Sequence, residues 1–202
     1  METGRLETFA DGVFAIAATL LVLEIAVPTL GEGETLGHAL LDLWPSYIAY
    51  ATSFLTIGIM WVNHHTVFRQ IREADLPFLY LNLALLLLIA FVPFPTTLLA
   101  DHAWGAEGRD AALAYGITLT ITAVCFNAIW RYAIWNGRLL RADADPREVS
   151  GITRAYNPGI PLYATATLVA LVSPKASAAL FLAIALFYMI SSSFFGDEQA
   201  GV

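Results

Sequence analysis

Charged side chains are scarce in this chain of 202 residues: Asp, Glu, Lys and Arg make up only 13% of it. Soluble domains usually carry about 25%. Hydrophobic residues make up 58%, which predicts a polytopic membrane protein. The formal net charge of -7 and the absence of a basic cluster argue against a nucleic-acid partner. The period-two alternation of barrel strands is also missing, so we predict an all-α membrane fold.

Cysteine is nearly absent, since Cys125 is the only one. An internal disulfide and a metal site built from cysteines are therefore excluded. The sequence also lacks a glycine-rich phosphate loop, a nucleophile–base pair and a cluster of metal ligands. We predict that the protein is not an enzyme and holds no metal or cofactor.

Long runs with few or no charges mark six segments, each long enough to cross a hydrocarbon core of about 30 Å as a helix. The predicted spans are approximately 5–27, 43–68, 76–100, 111–135, 155–174 and 176–196. We expect Pro93-Phe94-Pro95 to end or kink the third span, and the loop before the fifth to contain a short helix. No internal repeat or second domain is visible, which predicts one membrane domain over 1–202.

Basic residues indicate how the spans are oriented. Eight arginines fall on the side of the N-terminus, whereas the opposite side holds only Arg109 and Lys175. We therefore predict a multi-pass protein of the cell membrane with both termini in the cytoplasm.

The first span combines an apolar stripe with a carboxylate. At about 100° per residue, one helical face collects seven residues, with Thr19 on its shoulder: Arg5, Phe9, Gly12, Ile16, Leu20, Leu23 and Val27. Asp11 points away from this face. A carboxylate beside the hydrocarbon costs free energy unless it finds a partner, so Asp11 is a functional candidate.

Three other polar side chains lie near the ends of the first two spans. His64 and His65 point in different directions on a helix, which does not suit a shared metal. They are either interface residues, or one of them pairs with Asp11 or lies near Arg5. Glu24 either reaches the outer interface or gives an external pore mouth a negative potential that concentrates cations.

The first span resembles the lysosomal and bacterial potassium channel family known as transmembrane protein 175. Arg5, Phe9 and Asp11 match its R-x-x-x-F-S-D signature, with Ala10 in place of the usual serine. The segment 16–25, Trp61 before His64-His65, and Pro93-Phe94-Pro95 also resemble the bacterial members. The resemblance covers essentially the whole chain.

This resemblance implies a homotetramer of six-helix subunits, in which four first helices line a central pore without a re-entrant filter loop. Carried over by position, the pore constriction consists of Ile16, Leu20 and Leu23, and Thr19 is the polar neighbour related to potassium preference. A structural network at the inner end would include the following residues: Arg5, Phe9, Asp11, His64 and His65. Ala10 removes one possible hydrogen bond from that network.

We predict a passive cation channel that prefers potassium, with K⁺ as the permeant ion and a hydrophobic constriction. Its partners would be further copies of the chain, monovalent cations and the lipid bilayer. One alternative is a proton-coupled secondary transporter, in which Asp11 and His64 or His65 form a relay. Another alternative is a non-conducting membrane scaffold.

Overall fold

The computed structural model describes residues 3–197, with side chains up to residue 190, so both ends of the predicted domain 1–202 lie outside the described residues. Within that range the chain forms nine α-helices, and the prediction of an all-α fold is confirmed. They are α1 (Gly4–Leu20), α2 (Leu36–Asp42), α3 (Trp44–Gln70), α4 (Leu76–Phe91), α5 (Pro93–His102), α6 (Gly108–Ile134), α7 (Pro146–Tyr156), α8 (Gly159–Val169) and α9 (Pro174–Asp197). Two short 3₁₀ segments, Leu21–Glu24 and Trp135–Gly137, follow α1 and α6.

Three helical segments of the described residues are long and apolar enough to cross a bilayer: Gly4–Glu24, Leu76–His102 and Gly108–Gly137. The helix α3 is as long as α6, at 27 residues, but carries more polar side chains. Each predicted span coincides with at least one helix, while the number of membrane crossings stays a prediction.

The first helical segment ends earlier than predicted. Ile25 has extended backbone angles, so the helical path stops at Glu24 rather than at Val27. The prediction that Val27 belongs to the helical face is therefore wrong. Pro28 further disfavours helical backbone at Val27 itself, because its ring restricts the residue before it.

The fifth predicted span, 155–174, is not one continuous helix. The helix α7 ends at Tyr156, and α8 covers only Gly159–Val169, about 17 Å at about 1.5 Å per residue. Beyond Val169 the chain tightens, because the amides of 170–172 bond to carbonyls three residues back. The short helix predicted in the loop before this span is confirmed as α7.

The third predicted span is divided where the prolines predicted a kink. Val92 separates α4 from α5, and Pro93 and Pro95 stand in the first turn of α5. Proline has no N–H to donate, and it is tolerated in the first turn of a helix, where that N–H would have no partner within the helix. The helix α5 lies at the end of the subunit that also holds the end of α1, since it contacts the 3₁₀ turn Leu21–Glu24.

The helix α6 is the centre of the subunit, since it packs against α4, α5, α8 and α9. Gly116 brings α6 close to α8: a Cβ at this position would lie 2.4 Å from Thr167 Oγ1. On the opposite side, Ser53 Oγ lies 2.8 Å from Thr96 Oγ1 and 3.0 Å from Tyr115 Oη. These buried contacts fix the scaffold on which α1 rests.

Asp75 joins three elements at the end of the subunit where α4 begins. Its Oδ1 accepts a hydrogen bond from Phe78 N at 3.1 Å, which caps α4, and its Oδ2 accepts one from the Tyr132 hydroxyl at 2.7 Å. The Arg138 guanidinium lies 3.1 Å from the same carboxylate. Partial burial raises the pKa of Asp75, but the hydrogen bonds from Tyr132 and Phe78 and the charge of Arg138 outweigh it, so the pKa lies below its ordinary value.

Replacing Asp75 by Asn should lower the free energy of unfolding by about 1 kcal/mol near neutral pH, a modest value because solvent screens the partly exposed pair. A depressed folded-state pKa contributes stability above the unfolded-state pKa, and this contribution is lost as pH falls through the folded value. The deficit of D75N should therefore vanish in acid. Thermal unfolding in detergent over a pH series measures this stability deficit.

Asp143→Asn is the control. Asp143 forms an exposed ion pair with Arg141, so its replacement should change the stability little. Equal stability of D75N and the unmodified protein at neutral pH would contradict the assignment.

Candidate pore-lining face

The helix α1 packs on its own subunit through one narrow seam. Ala10, Phe14, Ala17 and Leu21, spaced at helical intervals, are 0–2% exposed. They face α3 and α4. In the most apolar stretch of the segment Gly4–Glu24, only 22% of the residues are buried. The corresponding values are 50% and 56% for the other two long apolar segments. Most of the apolar surface of α1 is therefore uncovered by its own subunit.

The uncovered side carries the residues predicted to form the constriction. Ile16, Leu20 and Leu23 are 61%, 41% and 73% exposed, and they alternate along the chain with buried Ala17 and Leu21. The structure therefore brings the three side chains together on one free side of the subunit, although Leu23 lies in the 3₁₀ turn and not in α1. Their role as a constriction stays a prediction.

Thr19 lies beside this face and bonds back to its own helix. Its Oγ1 is 3.0 Å from the carbonyl oxygens of both Ala15 and Ile16. The hydroxyl proton serves these two carbonyls, while the lone pairs of the oxygen can still accept. An exposed threonine oxygen can thus face a passing cation, which is the role predicted for Thr19.

Asp11 is tied to α3 by tryptophan, not by histidine. The indole Nε1 of Trp61 donates to Asp11 Oδ1 at 2.8 Å. The interpretation that a histidine pairs with Asp11 is wrong, because His64 bonds elsewhere and His65 stacks against the Trp61 ring at a centroid distance of 6.5 Å. The observed hydrogen bonds therefore do not connect Asp11 to a histidine in a proton relay.

His64 is a buried packing residue between α1, α3 and α4. One ring nitrogen, Nε2, lies 2.9 Å from Asn82 Oδ1. The ring of Phe14 meets His64 edge-on at 5.4 Å, and Phe68 stacks on it at 4.3 Å. The seam of α1 thus rests directly on a histidine whose position is fixed by an amide of α4.

Two members of the predicted network are not joined to it. Arg5 and Phe9 lie exposed on the N-terminal part of α1, and Arg5 has no hydrogen-bond or ion-pair partner within residues 3–190. Asp11 and His64 contact the subunit's own α3 and α4, whereas Arg5 and Phe9 project from the uncovered side. The network predicted from the sequence therefore has one part inside the subunit and one part on its free surface.

The C-terminal end of the α1 segment also bonds to a neighbouring helix. Glu24, half-buried at the end of the 3₁₀ turn, accepts a hydrogen bond from the Thr97 hydroxyl of α5. The structure places the carboxylate beside α5, one residue beyond Leu23. Within the described residues, no three His, Cys, Asp or Glu side chains come together as metal ligands do.

Sequence reasoning missed three partners: Trp61, Asn82 and Thr97. A signal existed for Asn82, because it is the only amide in the apolar helix α4 and an intramembrane amide needs a partner. Trp61 precedes His65 by one helical turn. Tryptophans near the ends of spans commonly lie at the membrane–water interface, so its position did not indicate a bond to Asp11. Thr97 carried no comparable signal, because it stands among ordinary residues after the proline kink.

Comparison with known proteins places this geometry in a family. The family described as the endosomal/lysosomal potassium channel TMEM175 matches residues 5–93. A potassium channel of Chamaesiphon minutus is 47% identical over 195 residues, which are 95% of this chain and 96% of that relative. This chain belongs to the TMEM175 family. The resemblance seen in the first span is thereby confirmed.

Another relative and a solved structure extend the comparison. A potassium channel of Streptomyces collinus is 44% identical over 155 residues, or 76% of this chain and 73% of that relative. The crystal structure of a lysosomal potassium-selective channel TMEM175 homologue from Chamaesiphon minutus matches with a TM-score of 0.86 at 42% identity, covering 95% of this chain and 98% of that one. The segment matching the TMEM175 family contains Asp11, Trp61, His64 and Asn82, while Thr97 lies outside it.

Replacing Trp61 by Phe should lower the free energy of unfolding by about 1–2 kcal/mol, because Asp11 then loses its charge-assisted donor near the hydrocarbon. Hydrogen exchange in α1 should rise at the same time. Trp135→Phe is a matched control, since that exposed indole makes no hydrogen bond within the described residues. Thermal unfolding in detergent compares the two variants. An equal loss in both would show that the indole–carboxylate bond contributes nothing specific.

Proposed function

We propose that this chain is the subunit of a passive, potassium-preferring cation channel whose pore is lined by α1. The observation that carries the proposal is the free apolar side of α1, which holds Ile16, Leu20 and Leu23 while the opposite seam is buried. An apolar patch of this kind marks a surface that contacts something other than its own subunit. The relatives that share most of this chain are named potassium channels, which supports conduction as the use of that surface.

The proposed assembly is a homotetramer with four copies of α1 around a central axis. Closed cyclic symmetry is the usual arrangement of identical subunits, and it places the same face of each copy toward the axis. Rings of Ile16, Leu20 and Leu23 would then form an apolar constriction that closes by expelling water and opens when modest widening lets water back. Thr19 would supply the hydroxyl related to potassium preference.

The proposed topology has six membrane spans in the cell membrane, with both termini in the cytoplasm. It is supported by the excess of arginines on the side of the N-terminus and by helices at each predicted span. Asp75, Arg138 and α7 would then lie on the cytoplasmic side. We propose no catalytic activity, because the relatives are named as channels.

Polar substitution in the constriction should increase potassium flux. Ile16→Ser or Leu23→Ser should raise K⁺ release from proteoliposomes about tenfold, because a smaller, wettable ring lowers the barrier to water and ions. Leu168→Ser on α8 is the matched control, since Leu168 is 62% exposed and Ile16 is 61% exposed. Unchanged flux in both constriction variants, or an equal increase in the control, would refute this pore.

Cross-linking tests the assembly independently of flux. In a Cys125→Ala background, Leu20→Cys should form disulfide-linked dimers under mild oxidation, because neighbouring copies of α1 meet at the axis. Leu168→Cys, on α8, which lies away from the central axis in the proposed assembly, should stay monomeric under the same conditions. Gel electrophoresis without reductant reads the result. Linkage through Leu168 but not through Leu20 would exclude α1 from the axis.

A further inference from the structure

Glu24 occupies a distinctive place at the outer end of the proposed pore. It follows Leu23 directly and closes the 3₁₀ turn, after which the chain becomes extended at Ile25. Leu23 is largely exposed, whereas Glu24 is half-buried because its side chain is drawn against α5. The contact that holds it there is the hydrogen bond from Thr97 Oγ1 to Glu24 Oε2.

On one side of this contact the surroundings are apolar apart from Glu24 and Thr97 themselves. A groove of about 330 Å³ lies beside it, lined by Leu20, Glu24, Ala90, Pro93, Phe94, Thr97 and Leu98. Thr97 is the only member of this lining that can donate a side-chain hydrogen bond to the carboxylate. On its other side Glu24 borders a narrow crevice with Ser46, Tyr50 and Thr96, none of which hydrogen-bonds to it in the described structure.

The hydroxyl of Thr97 has two acceptors within reach, the Glu24 carboxylate and a backbone carbonyl. Its Oγ1 also lies 3.1 Å from the carbonyl oxygen of Pro93, one turn back. Thr118 makes only this kind of back-bond, to Ala114 at 2.8 Å. A hydroxyl has one proton, and a bond to a carboxylate is stronger than one to a neutral carbonyl. The proton of Thr97 is therefore directed to Glu24.

We propose that Thr97 is a positioning residue, which fixes the Glu24 carboxylate at the outer end of the pore-lining face so that its charge concentrates cations there. This inference rests on the proposed function. A fixed negative charge at a pore mouth raises the local cation concentration, and this effect is strong at low ionic strength. The charge can act in this way only while it stays at the level of the mouth.

Removal of the Thr97 hydroxyl should release the carboxylate. A valine would leave a charged oxygen without a donor in an apolar groove, which is unfavourable. The side chain then moves out to bulk water, away from Leu20 and Leu23. The consequence depends on salt, because the screening length falls from about 30 Å at about 10 mM to about 3 Å at about 1 M.

Single-channel recording in planar bilayers tests the inference with symmetrical KCl at about 10 mM and about 1 M. Glu24→Gln should lower K⁺ conductance about threefold at low salt and leave it nearly unchanged at high salt. Thr97→Val should reproduce at least about half of that loss with the same salt dependence. Thr97→Ser keeps the hydroxyl and should conduct like the unmodified protein. The double variant E24Q/T97V should match E24Q alone.

Thr118→Val is the matched control, because it removes a buried helical hydroxyl that has no second acceptor. It should leave conductance unchanged at both salt concentrations. The inference is overturned if Thr97→Val conducts like the unmodified protein at low salt, or loses the same factor at both concentrations. A normal current with no effect of Glu24→Gln overturns the inference alone. Absence of any K⁺ current from the unmodified protein overturns the proposed function, and the inference with it.

Discussion

The arrangement of this subunit depends on the narrow contact between α1 and the other helices, which buries only a small part of the surface of α1. Its buried seam alternates two small side chains, Ala10 and Ala17, with two large ones, Phe14 and Leu21. Small residues let α1 approach α3 and α4 closely, and close packing is the main attraction between helices in lipid. A narrow seam therefore suffices for attachment, and the remaining surface is available for contacts outside the subunit.

Polar side chains determine which packing the other helices adopt. Trp130 Nε1 donates to Thr153 Oγ1 at 2.8 Å, and the Tyr156 hydroxyl donates to the carbonyl of Asn63 at 2.8 Å. These bonds join α7 to α6 and α3, the helices beside which it lies. Apolar contacts alone tolerate sliding and rotation, whereas a hydrogen bond is satisfied in one register only. Burial of aromatic rings with polar ends thus stabilises one arrangement.

The sequence predicted which segments are helical better than where the helices end. It predicted the exposed face of α1 better than the residues that bond to α1. Ile16, Leu20 and Leu23 were placed on one side from periodicity alone, because a helix imposes its period on every residue. Val27 does not lie on that side, because the helical path ends at Glu24 and Pro28 disfavours helical backbone at Val27. A helical wheel includes neither of these local effects. The Asp11–Trp61 bond joins residues fifty positions apart, and its partner depends on how α1 and α3 are rotated, which periodicity does not determine.

The same limit applies to α8. The run 155–174 has the apolar composition of a full span, yet α8 is short because Pro158 stands just before its first residue and tight turns follow Val169. Gly116 shows the converse case, in which a single glycine on α6 permits an approach to Thr167 that no hydrophobicity pattern records. Close approach depends on shape, and shape appears only when two helices are placed together.

The two ties of α1 have a mechanical consequence. At its middle α1 is bonded to α3 through Asp11, and the 3₁₀ turn that follows it is bonded to α5 through Glu24. A rod held at two points along its length resists sliding along its support and turning on its own axis. The distance between copies of α1 in an assembly then changes only when whole subunits tilt or translate, so the bilayer that surrounds them takes part in every such movement.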